Sequence, residues 1–326
     1  MPFKTRLTEK LNIRHPIVMG GMAGIGRAEL AAAVSNAGGL GMLSALTPGS
    51  PEAFAEEIDK MRALTDKPFG ANLTIFPTQN SPPYETYRDI IIQKKVPVVE
   101  TASGVSLKDY WQAFREGGVT IIHKCTSVRH SVSAEKNGVD IISIDGFECA
   151  GHPGEDDIPG LILVPAAVDQ IKIPLIASGG IGDGRGLAAA LSLGADGVNI
   201  GTRFVCTVES NTHQNFKEQM VKNDERATNL VFRTMHNTAR VAKNSISDEV
   251  VQKEKEGAKY RDIAHLVAGV RGREAMASGD IEGGMWWASM SQVHCKDIPP
   301  AGVLVDRIVA EAEQIIRGRL NKIVAA

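Results

Sequence analysis

The sequence predicts an α/β fold, a (β/α)8 TIM barrel with an inserted helical cap domain, and three observations carry that expectation. Short apolar runs alternate with longer amphipathic stretches, which is the pattern of parallel βα units. Eight such runs can be counted, the number that closes a barrel. The last two runs, Ile173–Ala177 and Gly197–Ile200, lead straight into glycine clusters, Ser178-Gly179-Gly180 and Gly201-Thr202-Arg203. In such barrels a phosphate often binds at the loops after strands seven and eight, where glycines admit bare main-chain amides and a helix N-terminus adds positive potential. The chain is therefore expected to hold a phosphorylated cofactor.

In chain order the strand runs are His15–Gly20, Leu40–Ser44, Phe69–Thr74, Val96–Thr101, Thr120–His123, Asp140–Ile144, Pro174–Ser178 and Val198–Gly201. Helical stretches lie between them near Arg27–Asn36, Pro51–Ala63, Glu85–Lys94, Leu107–Glu116, Ser127–Asn137, Leu161–Gln170 and Gly184–Leu193. Start and stop signals support several: Pro51 follows Ser50 as a first-turn proline after a cap, Asn36 precedes Gly38-Gly39, and Asn137-Gly138 suits a left-handed stop. A doubly wound open sheet would alternate likewise; the count of eight and the terminal glycines decide for the barrel. From about Glu209 to Lys296 the pattern changes to helical periodicity (Gln214–Asn223, Ser247–Glu256, Tyr260–Ala268) with many charges and no convincing strand. That segment is too long for a βα loop. The expected division is a barrel over 1–208 and 297–326 and a helical cap over 209–296. A final helix, Val303 to Ile323, repeats apolar residues at Val305, Ile308, Val309, Ala312, Ile315, Ile316 and Leu320 and suits packing back on the barrel.

Composition excludes more than it assigns. With 326 residues, 43% hydrophobic and 23% charged, the chain can bury a full core. A formal net charge of -2 without a long basic run argues against nucleic acid or an anionic membrane as partner. Cys125, Cys149, Cys206 and Cys295 show no Cys-x-x-Cys spacing, so neither a disulfide framework nor a structural zinc site is expected. Met1 to Arg14 alternates charged with apolar residues, and no apolar run reaches the roughly 20 residues of a membrane span. A cytoplasmic protein is expected.

Catalytic groups of a barrel belong at the C-terminal ends of its strands. Polar residues recur there: Asn72 at the end of strand three, Glu100-Thr101 after four, His123-Lys124 after five, Asp145 after six and Ser178 after seven. Lys124 follows a buried run and would point into the mouth, where a cation stabilises negative charge on a reduced cofactor ring; pairing with Asp145 is the plainer reading. The loop Asp145 to Asp157 is rich in glycine and titratable groups. His152 with Glu155, Asp156 and Asp157 fails as a metal site, because Pro153-Gly154 separates them and no second histidine stands at ligand spacing. A general-base or orienting role for His152 is more in keeping with its titration near neutrality. Gly20-Gly21-Met22-Ala23-Gly24 lacks dinucleotide-fingerprint spacing and reads as a backbone shelf for a flat ring, with Met22 packing on it. The proline-rich loop from Thr74 to Tyr84 could gate the pocket, with Pro77 to Pro83 as its stiff part.

These residues resemble the FMN-dependent nitronate monooxygenase superfamily, once called 2-nitropropane dioxygenases, and within it most closely the bacterial NADH:quinone reductase branch. The resemblance rests on His15-Pro16-Ile17 with Gly20-Gly21-Met22, Ala37 to Gly41, Pro68 to Thr74, His123-Lys124-Cys125-Thr126, the strand-six loop from Asp145 to Asp156, Ser178-Gly179-Gly180, Gly201 to Phe204 and Asn237 to Val241. The cap departs from that branch around Ala275-Met276-Ala277 and Val293-His294-Cys295, which touches the electron acceptor more than the flavin. The resemblance implies FMN, with Gly179, Gly180, Gly201 and Thr202 on its phosphate. It places Gly21, Met22, Asn72 and Lys124 around the isoalloxazine, with Asp145 beside Lys124, and Ala150, Gly151 and Ser178 lining the rest. It makes His152 the base near the substrate and NADH or NADPH the co-substrate. Small molecules are the expected partners, and a homodimer stays open. Nitronate oxidation with oxygen is the alternative activity, enoyl-thioester reduction a third, and a non-catalytic flavin-binding barrel the non-enzyme alternative.

Overall fold

The computed structural model describes residues 3–76 and 81–323. Eight parallel strands, β1 (Ile17–Met19), β2 (Gly41–Ser44), β3 (Phe69–Ile75), β4 (Val98–Ser103), β5 (Thr120–Cys125), β6 (Ile141–Asp145), β7 (Leu175–Ser178) and β8 (Gly197–Ile200), pair in sequence order, and β8 returns to β1. The ring closes between β1 and β2: Leu40 bridges Val18 in parallel, its N–H donating to Ile17 O at 2.9 Å while Met19 N–H donates to Leu40 O at 2.9 Å. The fold is the expected (β/α)8 barrel. β-Branched runs such as Val98-Val99, Ile121-Ile122 and Ile141-Ile142 are buried, as strands covered on both faces require.

Boundary differences have local causes. Proline at position 16 cannot donate to a ladder, and β1 begins only at Ile17. β5 runs on to Cys125, so Lys124 lies inside a strand and not after it, paired in register with Ser143. β6 ends on Asp145, opposite Ser178. The expected helices form the outer layer at Ala28–Asn36, Pro51–Leu64, Tyr84–Gln93, Lys108–Glu116, Val128–Lys136, Gly160–Val168 and Gly184–Ser192. Ser50 Oγ accepts from Ala53 N–H at 3.2 Å, capping the helix that starts at Pro51. The last helix, Ala301–Gln314, packs on the helices 184–192 and 28–36, and its final turns, Ile315–Leu320, widen into a π-helix. No helix among the described residues is long and apolar enough to cross a membrane.

The segment expected to be wholly helical is not. It contains an antiparallel hairpin, β9 (Thr228–Val231) with β10 (Ala239–Ala242), and a further helix at Gly269–Ser278. Each hairpin strand has only four residues, and Thr228, Asn229 and Arg240 break any apolar alternation that would have marked it. Val231, Ala239, Val241, Ile246, Val250, Ile263 and Leu266 build a second, smaller core there. The helix Gln214–Lys222 instead joins the barrel's core through Phe216 and Met220.

Candidate active site

The floor of the site is a buried polar hub. Glu100, at the barrel centre with no exposed surface, accepts from Gly21 N–H at 2.9 Å and Asn72 Nδ2 at 2.9 Å on one oxygen, and from Asn199 Nδ2 at 2.8 Å on the other. Asn199 also reaches Ser143 Oγ at 3.2 Å. Three N–H donors converging on one side chain is the arrangement a carboxylate, which only accepts, requires. The hub also explains the glycine shelf: a Cβ on Gly21 would stand 2.2 Å from Asn72 Cγ, and one on Gly20 would stand 2.4 Å from Asn199 Oδ1. Backbone and amides interleave with no room for a side chain.

Beside the hub, Lys124 Nζ lies 3.2 Å from Asp145 Oδ1, with the lysine side chain 23% exposed. Burial would lower the ammonium's pKa, yet Asp145 and Glu100 outweigh it and raise the value, so Lys124 is a fixed cation. The ion pair is close but poorly aligned, and Asp145 Oδ1 is left buried with no hydrogen-bond partner. Cys149, from the strand-six loop, stays a neutral thiol because burial, reinforced by Asp145, drives its pKa up.

The glycine clusters after β7 and β8 form the cradle. Gly179 and Gly180 have φ of +90° and +72°, and a Cβ on Gly179 would meet Cys149 Cβ and N at 3.0 Å. Only glycine fits that turn, which brings backbone against backbone. Gly201 lies beside Met22, a Cβ there meeting Met22 Sδ at 3.6 Å, so the shelf and the cradle adjoin. Thr202 opens a short helix, Thr202–Val205, in which Phe204 N–H and Val205 N–H donate to Gly201 O at 2.8 Å and 3.3 Å. Its hydroxyl already accepts from Ser289 N–H at 3.0 Å and ties the far end of the inserted segment to the cradle.

The mouth is built differently. Gly151, with φ of +79°, is bridged antiparallel to Arg240 of β10: Gly151 N–H donates to Arg240 O at 3.1 Å and Arg240 N–H to Gly151 O at 2.6 Å. Arg240 then donates to Phe147 O at 2.9 Å and 3.2 Å and stacks its guanidinium 4.5 Å over the Phe147 ring. Glu155 accepts from Thr238 N–H at 2.8 Å and from its hydroxyl at 2.5 Å. The hairpin thus clamps both sides of His152. That ring meets Phe76 at 5.6 Å and Trp287 at 6.0 Å between centroids. Desolvation there lowers its pKa below 6.5, against a weaker pull upward from Glu155, so His152 is neutral at pH 7.

The family model for nitronate monooxygenase matches residues 4–311. The chain belongs to the nitronate monooxygenase family. A probable nitronate monooxygenase of Staphylococcus aureus (strain MSSA476) is 32% identical, spanning 96% of this chain and 99% of that protein. Among solved structures, FabK from Thermotoga maritima is similar at 34% identity and a TM-score of 0.91 over 99% of this chain and 100% of that one. The nitroalkane oxidase from Streptomyces ansochromogenes shares 28% identity with a TM-score of 0.84, over 97% of this chain and 100% of that one. As a member of the nitronate monooxygenase family, this protein is an oxidoreductase.

Within that family member, the structure gathers Gly21, Asn72, Lys124, Asp145 and Ser178 at the strand ends, places Gly179 and Gly180 against Cys149 and Glu148, and puts Gly201 beside Met22. Ala150 and Gly151 lead into His152, whose ring neighbours are Phe76 and Trp287, not Lys124. Residues Pro77 to Asn80 of the expected gate lie outside the described residues; at its base Tyr84 Oη donates to Phe76 O at 3.1 Å. The sequence reading missed Glu100 as a hub, although a lone carboxylate after Val98-Val99 is the signal that could have found it. Phe76 and Trp287 carried no such local signal, and Arg240 entered only within the Asn237 to Val241 motif, with nothing to mark it as the clamp on the strand-six loop.

Proposed function

We propose that this protein is an FMN-dependent NAD(P)H:quinone oxidoreductase. The cradle fits the phosphorylated flavin on two observations: glycines that admit no Cβ at Gly179 and Gly21, and a buried oxygen of Asp145 that faces Lys124 but accepts no hydrogen bond. Gly179, Gly180, Gly201 and Thr202 would hold its phosphate, while Gly21, Met22, Asn72, Lys124 and Asp145 would surround the ring, with Ala150, Gly151 and Ser178 lining the remainder. When bound, FMN would supply two-electron transfer between a nicotinamide and an acceptor.

The observation that carries the choice of acceptor is the charge across the floor and the mouth. Lys124 is committed to Asp145 and also faces Glu100, and His152 is held neutral. An anionic nitronate meets no uncommitted cation in that group, whereas a neutral acceptor needs none. Neutral His152 can take up a proton and then pass it to the reduced acceptor, and Lys124 offsets the charge of Asp145 and Glu100 beside the ring. Anaerobic mixing with NADH or NADPH should bleach the flavin, and a quinone should restore its colour. A flavin that stays oxidised for minutes in excess of both nucleotides overturns the reading. The names of the curated relatives favour nitronate oxidation as the second reading, and oxygen uptake on adding an alkyl nitronate, with no nicotinamide present, would select it. For enoyl-thioester reduction the structure offers no observation of its own; the enoyl reductase domain of MlnA from Bacillus amyloliquefaciens, at 16% identity and a TM-score of 0.74, shares the fold alone.

A further inference from the structure

Three large aromatic side chains stand exposed among the described residues, Phe76, Tyr260 and Trp287, and two of these touch His152. Trp287 is 42% exposed and Phe76 is 38% exposed, in a chain where aromatic residues are scarce and mostly buried. Exposed aromatic surface beside a candidate proton-transfer group is a cost unless something covers it. The backbone beneath each ring is tied down. Trp286 is 3% exposed, packs edge-on to Phe216 at 5.2 Å, donates its indole N–H to Ile281 O at 3.3 Å and accepts from Ala242 N–H at 2.9 Å, which fixes the backbone that presents Trp287. Tyr84 ties the backbone at Phe76 in the same way, through its carbonyl. With the backbone held before binding, only side-chain freedom is left to lose.

The geometry points to Trp287 as the residue that selects the acceptor, through an aromatic wall with Phe76 and His152 that takes a neutral, flat, fused-ring quinone. This inference rests on the quinone reductase reading and names its substrate class. Three features set that class. The three rings of the wall are uncharged, since His152 is neutral, and the Glu155 carboxylate keeps its charge on the Thr238 N–H and hydroxyl. Its faces are π surfaces, which reward offset or edge contacts with another ring and give an alkyl chain only area. The indole is itself a fused pair of rings, so a two-ring quinone covers it more fully than a one-ring quinone.

The test is equilibrium binding to the oxidised FMN-loaded enzyme by titration calorimetry, with 2-methyl-1,4-naphthoquinone, 1,4-benzoquinone and an alkyl nitronate as probes. The naphthoquinone should bind the unaltered protein more tightly than the benzoquinone. Trp287→Ala should weaken the naphthoquinone by roughly 3- to 10-fold, the range expected for losing one aromatic contact, and weaken the benzoquinone less. Trp287→Phe should recover part of the loss, which a general disturbance of the fold would not allow. Equal weakening of all three probes, unchanged naphthoquinone affinity in Trp287→Ala, or no naphthoquinone binding to the unaltered protein would each overturn the inference. The titration uses no nicotinamide, so failure of the reductase reading, seen as a flavin that NADH and NADPH cannot bleach, is recorded separately.

Discussion

The floor and the mouth of this site solve the same problem, holding polar groups at fixed positions, by opposite means. The floor is made by strand ends of one barrel: Glu100, Asn72, Asn199 and Gly21 come from four strands or their immediate exits and share one closed set of hydrogen bonds. The mouth is made by a loop, Gly146 to Pro159, that has no ladder of its own and borrows one from β10, about 90 residues further along the chain. Rigidity in the floor comes from buried charge matched to donors, where a missing partner is expensive. Rigidity in the mouth comes from a tertiary clamp, with Arg240 and Thr238 both buried, that reaches the loop from a distant hairpin. On the proposed function, substrate chemistry would sit on the half held from afar, and the electrostatics of a bound ring on the half built into the barrel.

The largest expected effect separates the halves by function. His152→Ala should slow turnover by about 10²–10⁴-fold, the usual worth of a positioned proton-transfer group, while leaving the flavin reduction potential nearly unchanged. Lys124→Met should do the reverse to the potential, lowering it, because it leaves Asp145 and Glu100 uncompensated next to the ring. Full activity of His152→Ala toward quinones and nitronates alike would make it an ordinary loop residue. Next in size, Glu100→Ala should cost about 3–5 kcal/mol in denaturant unfolding, since it removes Lys124's second counter-charge and strands three buried donors at once. Glu100→Gln, which keeps an acceptor, should cost less. A loss below about 1 kcal/mol for the alanine variant would show that the floor relaxes as readily as the mouth.

This contrast also decides what could be read from the sequence. Strand runs and the glycine clusters are local signals, and they were sufficient for the barrel, for the glycine turns after β7 and β8 and for the position of Lys124 within one residue of a strand end. The hairpin was not legible, because its strands are short and Arg240, a charged residue in the middle of β10, is buried for a tertiary reason: it answers the Phe147 carbonyl. Trp287 was equally silent. Its meaning depends on which ring it faces, and that ring belongs to a loop more than a hundred residues earlier. Segments whose partners are distant in sequence carry no periodicity that would announce the pairing.

A pH experiment probes the outer shell of the floor. His123, 8% exposed on β5, shares a 2.9 Å hydrogen bond between Nδ1 and Thr101 Oγ1, and Trp111 packs edge-on against it at 4.8 Å while donating to the same hydroxyl. Burial lowers its pKa from 6.5 to about 4. The unfolded chain therefore binds a proton over that interval and the folded one does not. Stability from keeping His123 neutral is fully present above about pH 6.5 and drains away as pH falls toward 4, by about 3 kcal/mol in all. Unfolding free energies measured between pH 7 and 4 should fall by that amount more in the natural protein than in His123→Leu. Parallel curves for the two would place the acid sensitivity elsewhere, and His152 at the mouth, whose pKa is also lowered, would be the next group to replace.

The smallest effect tests the clamp itself. Arg240 contributes a guanidinium that donates to Phe147 O and to Thr228 Oγ1 at 2.9 Å and lies over the Phe147 ring, while its backbone makes the two bonds to Gly151. Arg240→Met keeps the backbone bridge and much of the packing but leaves the Phe147 carbonyl unanswered, a loss of about 1–3 kcal/mol. If the side chain is what holds the strand-six loop in place, that variant should unfold earlier in denaturant and lose turnover by less than the His152→Ala variant, with KM for the acceptor rising as His152 and its neighbouring rings lose their fixed spacing. Thr228→Val removes only one of the guanidinium's partners and should show a fraction of the same change. Unaltered stability and KM in Arg240→Met would assign the clamp wholly to the two backbone bonds between β10 and Gly151, and the mouth would then be held by the same kind of ladder as the barrel beneath it.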